Sequence, residues 1–153
     1  MWRQKIGSIA VVLLLTGLYP LFCSAEPAPS AIASSDAEII ARGGRLFEQN
    51  CSPCHGHQAV GENPVTPLGG WNKAGPIAPA LNGTGHAWHH PPRYFFHTIR
   101  NGSSMRGTRM IGWAGRMSDA EIVAVIAYFQ SLWPQHIKDA YRQRFLYRVE
   151  KVP

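Results

Sequence analysis

The sequence is poor in cysteine and in acidic side chains, and nowhere does it alternate apolar and polar residues over a strand's length. It has three cysteines in 153 residues, and nine Asp and Glu against fifteen Lys and Arg. So few cysteines exclude a disulfide framework. The missing alternation excludes a β-sheet core and points to an all-α chain. Its most apolar run, Ile6 to Leu18, falls short of the roughly 20 residues that a spanning helix needs. The shortage of acid leaves a net charge of +6, but five basic and two acidic side chains in 134–153 supply much of that excess. A basic tail on a near-neutral body is no sign of nucleic-acid binding.

The chain opens "MWRQKIGSIAVVLLLTGLYPLFCSAEPAP". Arg3 and Lys5 precede the apolar run, and Cys23-Ser24-Ala25 offers small residues for a leader peptidase. That order reads as a secretory signal peptide over 1–25, cut after Ala25, with a periplasmic product. An uncleaved N-terminal helix serving as a membrane anchor is the alternative. Lipidation at Cys23 fits less well, because bulky Phe22 precedes it. Cleavage leaves only Cys51 and Cys54, in a chain sized for one domain.

Residues 26–35, "EPAPSAIASS", read as a flexible lead-in. Ser35 and Glu38 have capping-box spacing, and Ile39, Ile40, Gly43, Leu46 and Phe47 keep a helical period, so a helix is expected over 36–50. Residues 56–90 are rich in Gly, Pro and Asn without a period. A stretch that long is functional or wrapped around something. A short helix is expected over 92–101, opened by Pro91 or Pro92 and closed by Gly102, then a loop over 102–117. Ser118 and Glu121 repeat the capping box before a helix whose apolar face is Ile122, Val125, Ile126, Phe129, Leu132 and Trp133. Pro134 stops or kinks it. Ile137, Tyr141, Phe145 and Val149 then lie four apart on one face of a last, basic helix.

Residues 51–55, "CSPCH", carry the chemistry. Cys-x-x-Cys-His is the attachment signature of a c-type haem. Each thiol adds across one vinyl group of the porphyrin, and the next residue gives the iron its proximal nitrogen. Cys51 and Cys54 are the expected thioethers and His55 the axial ligand. The rivals each lack a part. A structural zinc site wants four ligands, usually two pairs, and the chain has one pair. A thioredoxin-like dithiol sits beside a βαβ unit, and no strand is expected. A Cys51–Cys54 disulfide leaves His55 unexplained.

A haem that carries electrons takes a second axial ligand, Met or His. Met105 and Met110 both lie in the Gly-rich loop, whose glycines permit close approach to a flat ring. Met117, one residue before the Ser118 cap, reads as the apolar staple of its helix. His86, His89 and His90 are crowded before the 92–101 helix. They are read as capping that helix, bonding a haem propionate or facing solvent, rather than as a metal site. Trp71, Trp88 and Arg93 are further candidates for the propionates.

Over residues 36–134 the sequence resembles the class I monohaem cytochromes c. The family pattern is met by Gly43, Phe47, Cys51, Cys54 and His55, by Pro79-Ala80-Leu81, by Met110 with Trp113 ahead of Met117-Ser118-Asp119, and by Tyr128. The resemblance implies a fold of three or four helices and long loops around one covalent haem c, extended here by a C-terminal helix over 135–153. It implies Met110 as sixth ligand, with Pro79 accepting a hydrogen bond from the proximal imidazole. It places Leu81, Trp113, Phe47 and Tyr128 around the haem and Gly43 where the first and last helices cross. Ile111 departs from the family, which has proline there.

The expected function is therefore electron transfer and not catalysis: an exported one-electron carrier with transient partners such as a dehydrogenase, a reductase or an oxidase. An electron-relay subunit of a larger complex, docked through 135–153, is the first alternative. A haem enzyme or gas sensor with a labile sixth ligand is the second.

Overall fold

The computed structural model describes residues 36–146. The leader, the lead-in and Val149 lie outside the described residues. Along the chain run α1 (Ala37–Asn50), α2 (Ser52–His55), strands β1 (Gly70–Asn72) and β2 (Gly75–Ile77), then α3 (Pro92–Asn101), α4 (Asp119–Ser131) and α5 (Gln135–Tyr141). Single 3₁₀ turns stand at His57–Ala59 and Ala87–His89, and a π-helical turn, Arg142–Leu146, follows α5. Among the described residues no helix is long and apolar enough to cross a membrane.

Both long helices begin on a side-chain cap, but only one cap is the expected one. Asp36, not Ser35, is the N-cap of α1: its carboxylate accepts from the backbone N–H of Glu38 at 2.8 Å and of Ile39 at 3.3 Å. A carboxylate at that end also meets the positive pole of the helix. At α4 the expected box forms. Ser118 Oγ accepts from Glu121 N at 3.3 Å, and Glu121 Oε2 accepts from Ser118 N at 2.9 Å. Met117, buried one residue before the cap, packs in the core with Ile122.

The Ser118 backbone bond, then its hydroxyl and Arg42, hold the Glu121 carboxyl below its usual pKa of 4.5. A carboxyl depressed on folding stabilises the fold above its unfolded pKa, and that contribution is lost as pH falls through the lower folded value. Ser118→Ala removes the oxygen that caps Glu121 N and is expected to cost about 1 kcal/mol at neutral pH. The loss should shrink as pH drops below 4.5, measured as the difference in thermal midpoint between variant and wild type.

Helices α1 and α4 cross where α1 has no side chain. A Cβ on Gly43 would stand 1.9 Å from the Ala124 carbonyl oxygen, so only glycine permits this approach. The contact brings Phe47, wholly buried, against Tyr128 with ring centroids 5.3 Å apart. Helix α4 is more deeply set than its expected face implies. Val123, Ala124 and Ala127 are buried along with Ile122, Val125, Ile126 and Phe129. A helix apolar nearly all round belongs inside; here α1, α3 and α5 enclose it.

One expectation needs correction. The stretch 56–90 contains an antiparallel hairpin, Gly70 to Ile77 and Asn72 to Gly75, with Asn72 Oδ1 accepting from Ala74 N at 2.8 Å in its turn. Strands of three residues are too short to show alternation. The last helix turns its apolar face inward rather than offering it to a partner. Pro134 is the N-cap of α5, Ile137 and Tyr141 are buried, and Tyr141 packs edge-on to Trp133 at 5.0 Å and stacks on Phe95 at 6.5 Å. Phe145 is half-buried against Tyr141 at 4.9 Å. The described part of the extension, residues 135–146, packs on its own domain.

Candidate functional site

The CSPCH turn follows α1 without a break. Cys51 is both the C-cap of α1 and the N-cap of α2, its N–H reaching the Phe47 carbonyl at 2.8 Å. Pro53 in the first turn of α2 fits the fixed φ of a helix start. Cys54 N and His55 N both return to the Cys51 carbonyl, at 3.1 and 2.8 Å. Gly56, at φ +73°, then ends the turn in a conformation that favours glycine. The effect is to set Cys51, Cys54 and His55 on one tight loop of backbone.

That loop forms part of the wall of a cleft of about 400 Å³. All seven residues expected at the site line it: Cys51, Cys54, His55, Pro79, Leu81, Met110 and Trp113. The volume is in the range of small-molecule and cofactor sites. Its other lining is largely apolar and includes Leu68, Trp71, Phe95, Ile99, Met105 and Phe129.

Both cysteines are free, with Cys54 exposed and Cys51 half-buried. Burial, then Cys54 and Glu48 nearby, push the Cys51 thiol up to about 12. A redox or nucleophilic dithiol needs the opposite shift. Among the described residues no group of three His, Cys, Asp or Glu side chains could hold a metal ion. The raised Cys51 thiol does not suit thiol exchange, and the CSPCH spacing is the one that thioether attachment needs.

His55 is oriented by one bond. Its Nδ1 lies 2.9 Å from the Pro79 carbonyl oxygen. A carbonyl only accepts, so Nδ1 carries the proton and Nε2 keeps its lone pair. Burial lowers the pKa of His55 and so favours the neutral imidazole, opposed in part by the Pro79 bond and by Glu62. A neutral imidazole with a donor bond to a carbonyl is the form that ligates a metal.

The segment behind that bond is well tied. Leu81 N donates to Ala59 O at 2.8 Å, and Trp133 Nε1 donates to Leu81 O at 2.7 Å. Ala59 and Gln58 have φ of +59° and +52° without being glycine, a strained turn. Glu48 supports it by accepting from Gln58 N at 3.3 Å and His57 Nδ1 at 2.9 Å.

Met110 enters from the loop between α3 and α4 and is half-buried. Its N–H donates to Thr108 Oγ1 at 3.1 Å, and its carbonyl accepts from Ser103 N at 3.2 Å. Trp113 N is anchored on Ile99 O at 2.9 Å. Met105 also lines the cleft but is 59 % exposed, whereas Met117 is buried away from it.

Of the remaining candidates, Trp71, His86 and His90 line the cleft, and His89, Trp88 and Arg93 do not. His89 instead packs on Trp88 at 3.8 Å. None of the three histidines caps α3: Pro91 is its N-cap and no side chain bonds there. His90 stacks on Tyr94 at 4.1 Å, and burial, then His86 and His89, lower its pKa.

Sequence reasoning missed two charged residues at this site. Arg109, in the cleft lining, pairs with Glu62, which is not part of that lining and is far away in sequence. The backbone bond from Ala78, then Arg109, holds the Glu62 carboxyl below its usual range. No spacing signal could have joined them, because the pairing depends on how two loops fold back.

A family model described as cytochrome c oxidase, cbb3-type, subunit III, matches residues 38–129, from α1 into α4 and thus across the whole cleft. Among solved structures, cytochrome CL from the marine methylotrophic bacterium Methylophaga aminisulfidivorans MPT is 26% identical over 69% of this chain, with a TM-score of 0.48. This chain spans 61% of the length of that one.

Proposed function

We propose, from the premise that the chain belongs to the class I c-type cytochromes through the family of cbb3-type oxidase subunit III, that it is an exported carrier of single electrons whose haem iron is held by His55 and Met110. Family membership carries the coarser part: a c-type cytochrome with covalent haem c that transfers electrons to and from redox proteins. The export and the ligand pair are the further reading. When bound, the haem supplies one iron that gains and loses a single electron.

The observation that carries the ligand reading is the convergence of Cys51, Cys54, His55 and Met110 on one cleft, with the His55 imidazole already fixed on Pro79. In this reading Cys51 and Cys54 hold the haem by thioethers. His55 offers Nε2 while the Pro79 carbonyl sets its ring plane and raises its basicity. Met110 offers a soft thioether sulfur from a loop whose backbone is tied on both sides, and Met ligation raises the potential. Leu81, Phe95, Ile99, Trp113 and Phe129 exclude water. Keeping both ligands in both oxidation states keeps the rearrangement per electron small.

Partners dock briefly. Leu68 and Trp71, each 64 % exposed, with Met105 and Ile111, place apolar side chains at the mouth of the cleft. A small apolar patch of this kind suits a transient redox encounter. The apolar face of α5 turns into the domain and adds nothing to that surface.

Absorption spectra of the purified protein and of Met110→Ala test the reading. Reduced haem bands that survive acid–acetone extraction are expected, as is a weak long-wavelength ferric sulfur-to-iron band that Met110→Ala abolishes. The same band in both proteins would move the ligand role to Met105. A high-spin wild-type spectrum that binds carbon monoxide would favour a sensor or enzyme.

A further inference from the structure

Glu62 joins the segment that holds His55 to the segment that carries Met110. Its Oε2 accepts from the Ala78 backbone N–H at 2.9 Å, and the same oxygen accepts from Arg109 Nη2. The Glu62 N–H returns to the Ala78 carbonyl at 3.0 Å, so Glu62 and Ala78 bond each other twice. Ala78 precedes Pro79, whose carbonyl orients His55. Arg109 precedes Met110, and its Nη2 also reaches the Pro76 carbonyl at 2.9 Å. One carboxylate oxygen therefore stands between two loops that meet only in the folded chain.

The Met110 loop has need of such an anchor. Ile111, which follows Met110, is 51 % exposed and imposes no fixed φ on the loop. The bonds at Thr108 and Ser103 lie within the loop itself, and the Trp113 bond to Ile99 ties its far end to α3. Arg109 supplies the tie across the cleft, to β2 and to Glu62.

We propose that Glu62 is a positioning residue: through Arg109 it holds Met110 at the cleft, and through Ala78 it holds the Pro79 carbonyl beneath His55, so that one side chain sets both axial ligands. This rests on the His55/Met110 reading above. It gives Glu62 and Arg109 a role distinct from that of a surface ion pair, which would stabilise little and position nothing.

The test uses the haem-loaded protein with Glu62→Gln, Arg109→Gln and the double variant. Glutamine keeps the shape of Glu62 but not its charge, so any bond its amide oxygen still accepts from Ala78 or Arg109 is weaker. Two readouts are taken beside the thermal midpoint. One is the affinity of the ferric protein for imidazole, which competes with Met110. The other is amide hydrogen exchange over residues 76–80 and 103–112.

Glu62→Gln is expected to raise imidazole affinity about threefold to tenfold, the scale of a partly exposed charge pair with one backbone bond. Exchange should quicken in both segments together, with α1 and α4 unchanged. The double variant should fall short of the sum of the two single effects, exceeding Glu62→Gln only by the lost Arg109 bond to Pro76, since the two side chains act largely as a unit.

Three results overturn the proposal. Exchange that quickens in one segment only, or in neither, removes the link. Unchanged imidazole affinity with a lowered midpoint leaves a structural ion pair. A large effect of Arg109→Gln with none from Glu62→Gln places Arg109 on a haem propionate instead. If wild type lacks the sulfur-to-iron band, the Met110 reading has failed, and hydrogen exchange still decides whether Glu62 links the two segments.

Discussion

Gly43→Ala is expected to lower the thermal midpoint by about 10 °C or more, against a small change for Gly44→Ala. Two opposing terms meet at each site. Alanine in a helix interior is favoured over glycine by roughly 0.5–1 kcal/mol. At Gly43 the new Cβ would stand 1.9 Å from the Ala124 carbonyl oxygen and 2.5 Å from its carbon. Both are backbone atoms within a helix, so neither can swing away, and α1 must lift from α4. Phe47, wholly buried across the same contact, loses packing with it. The cost reaches or passes the roughly 3 kcal/mol upper end of ordinary overpacking. At Gly44 the Cβ meets only the Tyr128 ring, at 3.1 and 3.2 Å, and a ring at the edge of the contact gives by a few tenths of an ångström. Calorimetry of both variants in the haem-loaded state decides the matter. Equal shifts would mean that the helices do not cross at Gly43.

Truncation after Pro134 is the second large effect. It removes Ile137 and Tyr141, 8 % and 4 % exposed, from the aromatic cluster of Phe95, Phe129 and Trp133. Losing two buried side chains of this size costs on the order of 5 kcal/mol. That is much of the roughly 5–15 kcal/mol that holds an ordinary domain together. The truncated chain should yield little soluble, cooperatively folding protein. The double substitution Ile137→Ala with Tyr141→Ala keeps the chain length and should reproduce most of the loss. A truncated chain with an unchanged midpoint would instead show that α5 is an appendage free to serve a partner. Because the truncation strikes the core, reduced electron transfer in such a variant would say nothing by itself about docking.

The CSPCH turn was legible because it is local. Cys51, Cys54 and His55 were expected on one turn, and their spacing is written in five consecutive residues. The same holds for the caps. Ser118 and Glu121 bond each other across three residues, and the helix they start was readable but for its last turn, where Leu132 and Trp133 were expected in a helix that ends at Ser131. At α1 the reading was off by one residue. Asp36 and Ser35 are both good N-caps, and sequence alone does not say which backbone leaves the helix first. The three-residue strands escaped notice because two or three side chains cannot define a period.

What the sequence by itself determined is the cofactor chemistry and the helices that frame it. These rest on contacts between residues a turn or less apart, which the chain makes wherever it folds. The tertiary structure alone decided which way α5 faces, which of His86, His89 and His90 reach the cleft, and that Glu62 meets Arg109 and Ala78. An apolar stripe at Ile137 and Tyr141 reads alike whether it covers its own core or a partner. A carboxylate in one loop carries no mark of the arginine it will meet. Such pairings come from loop closure, which sets neighbours by the path of the whole chain and not by spacing along it.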